Sequence, residues 1–269
     1  MDEKYIPYLD IASHLNIKKG ERIYLSSDIM AISYIAQLNG EKFDMNQFID
    51  SFLDLLTPEG TLLIPTFNFQ FSNKGMYNYL KSPSTTGALG NTALRRKDFK
   101  RTMHPMHSFC VWGKDKEYLC NMKNLNSFGE DSPFAYMRKE NVVQIMLGTD
   151  YQRSMTFVHY VEKKADVPYR FYKEFQGNYI DENGHETERT YQYPARYLEL
   201  GSVEKFNRIG KILEEKKIAY NYEIDGISIK RVNLGQSYDV IFEDAKNNEC
   251  RNLYDFECDR DIIWKNGGM

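Results

Sequence analysis

The chain has 269 residues, 42% hydrophobic and 27% charged, enough to bury a sizeable core in one large domain or two small ones. A net charge of -3 supplies no basic footprint for nucleic acid, and no run approaches the ~20 apolar residues of a membrane span. Cys110, Cys120, Cys250 and Cys258 show no CxxC spacing and read as free thiols of a reducing, cytoplasmic setting; the charged start Met1-Asp2-Glu3-Lys4 argues against a signal peptide.

Tyr5, Leu9, Ala12 and Leu15 recur at helical spacing and predict an amphipathic helix over 5–15. Lys18-Lys19-Gly20 turns the chain, and a strand begins at Arg22. Ser26-Ser27-Asp28 follow that strand directly, ahead of a helix over 29–38. Free N–H groups and the helix dipole at such a junction can hold an anion. Ser27 or Asp28 can equally be only an N-cap, and an Asp here would repel a phosphate unless its carboxylate is turned onto backbone N–H groups.

Asp44 and Gln47 form a cap pair for a helix carrying Phe48, Ile49, Phe52, Leu53 and Leu56. Pro58-Glu59-Gly60 turns into a buried strand over 61–65, with Thr66 at its end. Residues 70–101 are long and turn-rich, with a helix start at Ser84-Thr85-Thr86-Gly87. The run Arg95-Arg96-Lys97 is either a phosphate contact or a solvated helix end. His104 and His107 precede a strand over 110–113; without Asp, Glu or Cys at ligand spacing they do not suggest metal.

Asp131-Ser132-Pro133 starts a helix, and residues 142–147 form a buried strand ending on Gly148. A polar loop over 149–154 leads to a helix with His159 and Glu162 one turn apart, so both side chains can share a face. Beyond Arg170 the texture changes. An antiparallel hairpin turns at Asp181-Glu182-Asn183-Gly184, and an amphipathic helix spans 203–216. A second hairpin turns at Asp225-Gly226, a last helix runs over 238–246, and residues 247–269 are unplaced.

The alternation up to residue 170 argues for an α/β fold: a three-layer α/β/α arrangement with a largely parallel or mixed central sheet, followed by C-terminal antiparallel hairpins. The reading is one domain, 1–269, with an α/β core over 1–170 and a hairpin-rich remainder. No GxSxG, GxxxxGK[ST], GxGxxG or HExxH motif is present. What remains is a His with an acid one turn on, a Ser-rich strand end, and Thr66 at another. A neutral His oriented by a carboxylate can be a general base, or simply a buried structural histidine.

Ten positions between Ser132 and Arg170 stand in one order: Ser132, Pro133, Leu147, Gly148, Thr156, His159, Glu162, Ala165, Pro168 and Arg170. Their pattern resembles the aminoglycoside 3-N-acetyltransferase family. Further similarity lies at Leu62 to Phe67, Pro83 to Arg96 and Arg101 to Gly113, so the resemblance spans roughly residues 20–170.

The resemblance implies acetyl-CoA as co-substrate, no metal, and direct acetyl transfer to an amine. It implies His159 as the base, Glu162 as its orienting partner or a contact to the amino sugar, and Thr66 as donor to the oxyanion. Ser26, Ser27, Asp28, Ser108 and Thr156 fall on segments that line the acyl donor; Arg153 and His104 fall at the acceptor edge. Where the family has a His and a second Ser at the strand end, this chain has Ser26 and Asp28, and Arg153 replaces an Asn. These departures imply retained chemistry with a changed acceptor, an amino sugar, with true aminoglycoside acetylation or a non-catalytic CoA- or sugar-binding protein as alternatives. No nucleic acid or membrane partner is expected, and a homodimer is left open.

Overall fold

Strand β1 (Arg22–Ser27) lies at the centre of the molecule because Ile23 to Ser26 are apolar or small and all buried. The computed structural model describes residues 5–265 and 267. After β1 come helices α1 (Met30–Leu38) and α2 (Met45–Leu56), then β2 (Thr61–Pro65), α3 (Gln70–Lys74), β3 (Met76–Asn78) and α4 (Ala88–Ala93). The strands β4 (Lys100–Arg101) and β5 (Phe109–Gly113) are followed by α5 (Lys116–Cys120), α6 (Pro133–Lys139), β6 (Val143–Leu147), α7 (Tyr151–Ser154) and α8 (Phe157–Ala165). The last third holds β7 (Arg170–Ile180), β8 (Glu186–Arg196), β9 (Val203–Glu204), α9 (Phe206–Glu215), β10 (Ala219–Ile224), β11 (Ile227–Asn233), α10 (Leu234–Asn247), β12 (Tyr254–Asp255) and α11 (Arg260–Lys265).

Seven strands form one mixed sheet in the order β10-β11-β6-β1-β2-β5-β4. Only β6, β1 and β2 run parallel; β11 joins β6 antiparallel, and β5 joins β2 antiparallel. The Asp225-Gly226 hairpin predicted from the sequence therefore extends the central sheet instead of standing apart from it. Side-chain alternation along β6 separates the two layers. Val143, Ile145 and Leu147 meet Phe48, Phe52 and Leu56 of α2 on one face; Met146 meets residues of α6, α8 and α10 on the other. Each buried Leu, Ile or Phe contributes about 1.5–3 kcal/mol, so the two layers, not strand pairing alone, hold the sheet.

Caps agree with the sequence where short polar residues precede apolar periodicity. The Asp44 carboxylate accepts from the N–H groups of Asn46 and Gln47, and the Ser132 hydroxyl accepts from Ala135. Gln47 does not complete the box; its side chain accepts from the Tyr8 hydroxyl.

Three expectations change. The helix over 5–15 is only a 3-10 turn at Ile11–Leu15, with Leu9 39% exposed: Pro7 disfavours helical backbone at Ile6, and its carbonyl closes a tight turn on the Asp10 N–H at 2.8 Å. The loop over 149–154 contains α7, capped by the Asp150 carboxylate on the Arg153 N–H. The segment after 247 is also structured: Leu253 and Tyr254 are fully buried, β12 pairs with β9, and α11 follows.

Candidate functional site

Ser132 at the start of α6 and Gly148 at the end of β6 deliver the chain to α8, whose first turns carry the central group. On α8, the three-residue spacing places His159 and Glu162 on one side. His159 Nδ1 is 2.8 Å from Glu162 Oε2. The carboxylate is completely buried, whereas the imidazole side chain keeps 18% of its surface exposed. Arg170 Nε lies 2.9 Å from the same oxygen, and the Tyr169 hydroxyl donates to Oε1 at 2.6 Å. Arg170 is itself held by the Pro194 carbonyl and the Tyr254 hydroxyl, each at 2.8 Å.

Burial alone would push the Glu162 carboxyl up, but Arg170, His159 and Tyr169 together hold it down at about 2. It is thus a carboxylate that can only accept, so the imidazole hydrogen sits on Nδ1. Arg170 Nη2, 3.1 Å from that nitrogen, then donates one of its two hydrogens to Tyr254 and none to Nδ1. Burial and the Arg170 charge push the His159 pKa below its ordinary value, outweighing Glu162. The result is a neutral ring whose Nε2 has a free lone pair and no hydrogen-bond partner among the described residues. Phe128 and Phe206 stand edge-on to the ring at 5.7 and 5.8 Å.

A cleft of about 370 Å³ opens where the parallel order reverses, at the carboxyl ends of β1 and β6. Ligands of open α/β sheets bind at such reversals. Its walls include Gly148, Thr149, Asp150, Arg153 and Ser228. Gly148 has φ +64°, and a Cβ there would lie 2.4 Å from the Asp28 carbonyl oxygen, so only glycine admits this approach of the two strand ends. Arg153 is exposed and has no ion pair among the described residues. Ser27 and Asp28 are half-buried beside the cleft, and the Asp28 carboxylate is turned onto the Met30 N–H. Thr156, half-buried at the start of α8, stands beside the Tyr24 hydroxyl.

Other sequence candidates are enclosed. Ser26 is 5% exposed, bonded to Gln144 and the Ile145 carbonyl. Thr66 and Ser108 are fully buried around Arg101, whose Nε donates to Ser108 and whose Nη2 donates to the Thr66 carbonyl. Ser108 donates to that same carbonyl, so the 3.0 Å contact between the two hydroxyls takes the Thr66 hydrogen. Thr66 therefore has no hydrogen left for an oxyanion, and neither residue has a surface for the acyl donor. His104 is 1% exposed and its Nδ1 accepts from two backbone N–H groups, which removes it from the acceptor edge. The burial of Glu162 likewise leaves it facing His159 and not a sugar. Arg96 is pinned between Asp50 and Asp98, each at 2.7 Å, so the basic run offers no phosphate clamp at Arg96.

Tyr169, Arg170 and Tyr254 were missed as site residues. Arg170 is itself the last of the ten positions and Tyr169 stands beside it, a usable signal; Tyr254 arrives from 84 residues beyond Arg170 with no sequence cue.

The chain is similar to several known proteins. The SPbeta prophage-derived aminoglycoside N(3')-acetyltransferase-like protein YokD of Bacillus subtilis (strain 168) is 28% identical over 181 residues, covering 58% of this chain and 62% of that protein. The match thus spans less than two thirds of the relative. The crystal structure of YokD has a TM-score of 0.74 at 21% identity, covering 93% of this chain and 97% of that one. AAC-IIIb in a binary complex with CoASH has 0.74 at 15%, covering 91% and 98%. Sisomicin-bound AAC-VIa has 0.75 at 14%, covering 91% and 99%. These structures share the fold. The model of the family described as aminoglycoside 3-N-acetyltransferase matches residues 29–243, which takes in β6, α8 and both hairpins. The chain belongs to the aminoglycoside 3-N-acetyltransferase family.

Proposed function

We propose that the protein is an acetyl-CoA-dependent N-acetyltransferase that acts on an amino group of an amino sugar by direct transfer, with His159 as general base. The observation that carries this reading is the neutral, partly open His159 ring held by an ionised, fully buried Glu162. An alkylamine is mostly protonated near pH 7 and cannot attack a thioester until a base relieves it of a proton. In this reading the acceptor reacts as the free amine, its ammonium proton having passed to water, and its nitrogen attacks the thioester carbonyl carbon while Nε2 of His159 takes one of the remaining N–H protons. The C–N bond forms, the C–S bond breaks, and the imidazolium returns the proton to the departing thiolate. Glu162 keeps the imidazole in the Nδ1–H tautomer and stabilises the imidazolium.

Ser27 and Asp28, which meet the end of β6 at Leu147, and Thr156 at the start of α8 would hold the acyl donor, with Arg153 in the cleft meeting phosphate or carboxylate of the acceptor. Arg153 also favours an acceptor that carries phosphate or carboxylate over a polycationic one, which is the ground for an amino sugar. Such an enzyme belongs in the cytoplasm, in keeping with four unpaired cysteines. Aminoglycoside acetylation is the second reading, supported by the sisomicin complex of AAC-VIa.

The test is thiol release from acetyl-CoA against amino sugars, nucleotide-linked amino sugars and aminoglycosides. Turnover with an amino sugar, abolished by His159→Ala while acetyl-CoA still binds, is the expected result. Preferred turnover of gentamicin would favour the second reading. Calorimetric binding of CoA without turnover of any amine would overturn both in favour of a non-catalytic binding protein.

A further inference from the structure

Acyl transfer by this site needs a donor for the thioester oxygen as it becomes negative. The residue expected to supply it, Thr66, has its hydrogen committed to Ser108. A second imidazole nearby has the opposite property. His104 Nδ1 accepts from the N–H groups of Met106 and His107, each at 3.2 Å, so its hydrogen is on Nε2. That nitrogen faces the Ser127 hydroxyl at 3.4 Å and cannot accept from it. The Ser127 hydroxyl oxygen lies 3.0 Å from His107 Nδ1, and among the described residues this nitrogen is the only acceptor left for its hydrogen. His107, 3% exposed, therefore carries its own hydrogen on Nε2, which makes no hydrogen bond to another side chain or backbone group among the described residues.

We propose that His107 is an electrophilic catalytic residue whose Nε2–H donates to the thioester carbonyl oxygen in the transition state, a role that rests on the acyl-transfer reading. Its ring is clamped by Phe67 at 4.8 Å and Phe128 at 5.0 Å, and is stacked on Tyr193 at 5.7 Å with only 4° between planes. Phe128 is also the edge-on neighbour of His159. Burial holds the His107 pKa far below its ordinary value, and any charge on the neighbouring His104 or His159 rings would push it further the same way. The ring thus donates a hydrogen bond without losing a proton. The electron pair of the C=O π bond moves onto oxygen during attack and returns as the C–S bond breaks, with no proton moved at His107. His104 and Ser127 are positioning residues that fix the tautomer.

The experiment compares His107→Phe, which keeps an aromatic ring but no donor, with His107→Gln, whose amide reaches a similar point with N–H. With the amine that the thiol-release screen identifies, His107→Phe should lower kcat about 100-fold or more with KM for acetyl-CoA little changed, and His107→Gln should recover most of the loss. Nitrogen-15 NMR of the native protein should show His107 as the neutral Nε2–H form, and Ser127→Ala should loosen that preference. A folded His107→Phe or His107→Gln variant with kcat unchanged from native in the Phe case, or a deficit equal to that of Phe in the Gln case, would overturn the proposal. So would an Nδ1–H tautomer, whatever the kinetics. His159→Ala run alongside separates the failures: an inactive His159→Ala with a fully active His107→Phe sinks only the donor role, whereas an active His159→Ala sinks the general-base reading.

Discussion

His159 Nδ1 lies 2.8 Å from Oε2 of Glu162, and only the histidine reaches the surface. This asymmetry makes the pair directional: the carboxylate faces inward to Arg170 and Tyr169, while the imidazole presents its second nitrogen outward. Glu162→Gln keeps the volume but removes the charge. It leaves Arg170, whose side chain is 6% exposed, as an unbalanced cation, at a cost of about 3–5 kcal/mol. Turnover should fall by about 100-fold or more because the base loses its orientation and its imidazolium its counter-charge. Denaturation midpoints and kcat on the same preparation check both effects.

The pH profile follows from the direction of the His159 shift. Burial and Arg170 place its pKa below 6.5, so the base is already neutral at pH 7. Activity at saturating substrates should rise with pH along a limb lying wholly below 6.5 and owe nothing to this group above it. A limb centred above 6.5 that moves with His159 variants would refute the assignment.

Acid should also destabilise the fold. His104, pushed down to about 3 by burial, and His107 and His159 stay neutral in the native state at pH values where an unfolded histidine, near 6.5, takes up a proton. The stability they confer is intact above 6.5 and shrinks as pH falls below it, by about 1.4 kcal/mol per pH unit for each such histidine. Glu162 adds to this lower down. Its folded value of about 2 against an ordinary 4.5 gives stability that is present above 4.5 and lost on the way to 2. Urea midpoints at pH 7.5, 6 and 5 should fall in that order.

Tyr254→Phe tests whether the C-terminal segment supports the site. The hydroxyl accepts from Arg170 Nη2 at 2.8 Å, and loss of a bond to a charged group costs about 1.5–3 kcal/mol. The variant should unfold at lower urea, with a reduced kcat as Arg170 loses one of its anchors.

Arg153→Ala should raise KM for the acceptor amine about tenfold while leaving kcat nearly unchanged, because the side chain lines the cleft beside Gly148. The native KM should also climb with salt and that of the variant should not. Equal salt dependence in both proteins would remove Arg153 from the binding cleft.

The parallel heart of the sheet was legible because Ile23 to Leu25, Leu62 to Ile64 and Val143 to Leu147 are short apolar runs bounded by turns, and burial on both faces demands such runs. The mixed outer order was not, since nothing in residues 219–233 states which edge the hairpin joins. Four-residue α7 has too few positions to display a period, so its turn was invisible. At the site, His159 and Glu162 could be paired from their spacing. The hydroxyls of Thr66 and Ser108 sit at strand ends where open sites form, yet the guanidinium of Arg101 closes them off, and that contact depends on three separate segments. Sequence position says where a side chain starts, not whether another side chain has already covered it.

The late arrival of β10 and β11 has a consequence for biosynthesis. Until residues 219–233 leave the ribosome, β6 has one bare flank of unpaired amides, one short helix ahead of the helix that bears His159. A polypeptide interrupted before that hairpin would expose a largely apolar strand ready to pair with another copy, so clipped products should be found in the insoluble fraction and not as smaller working enzymes.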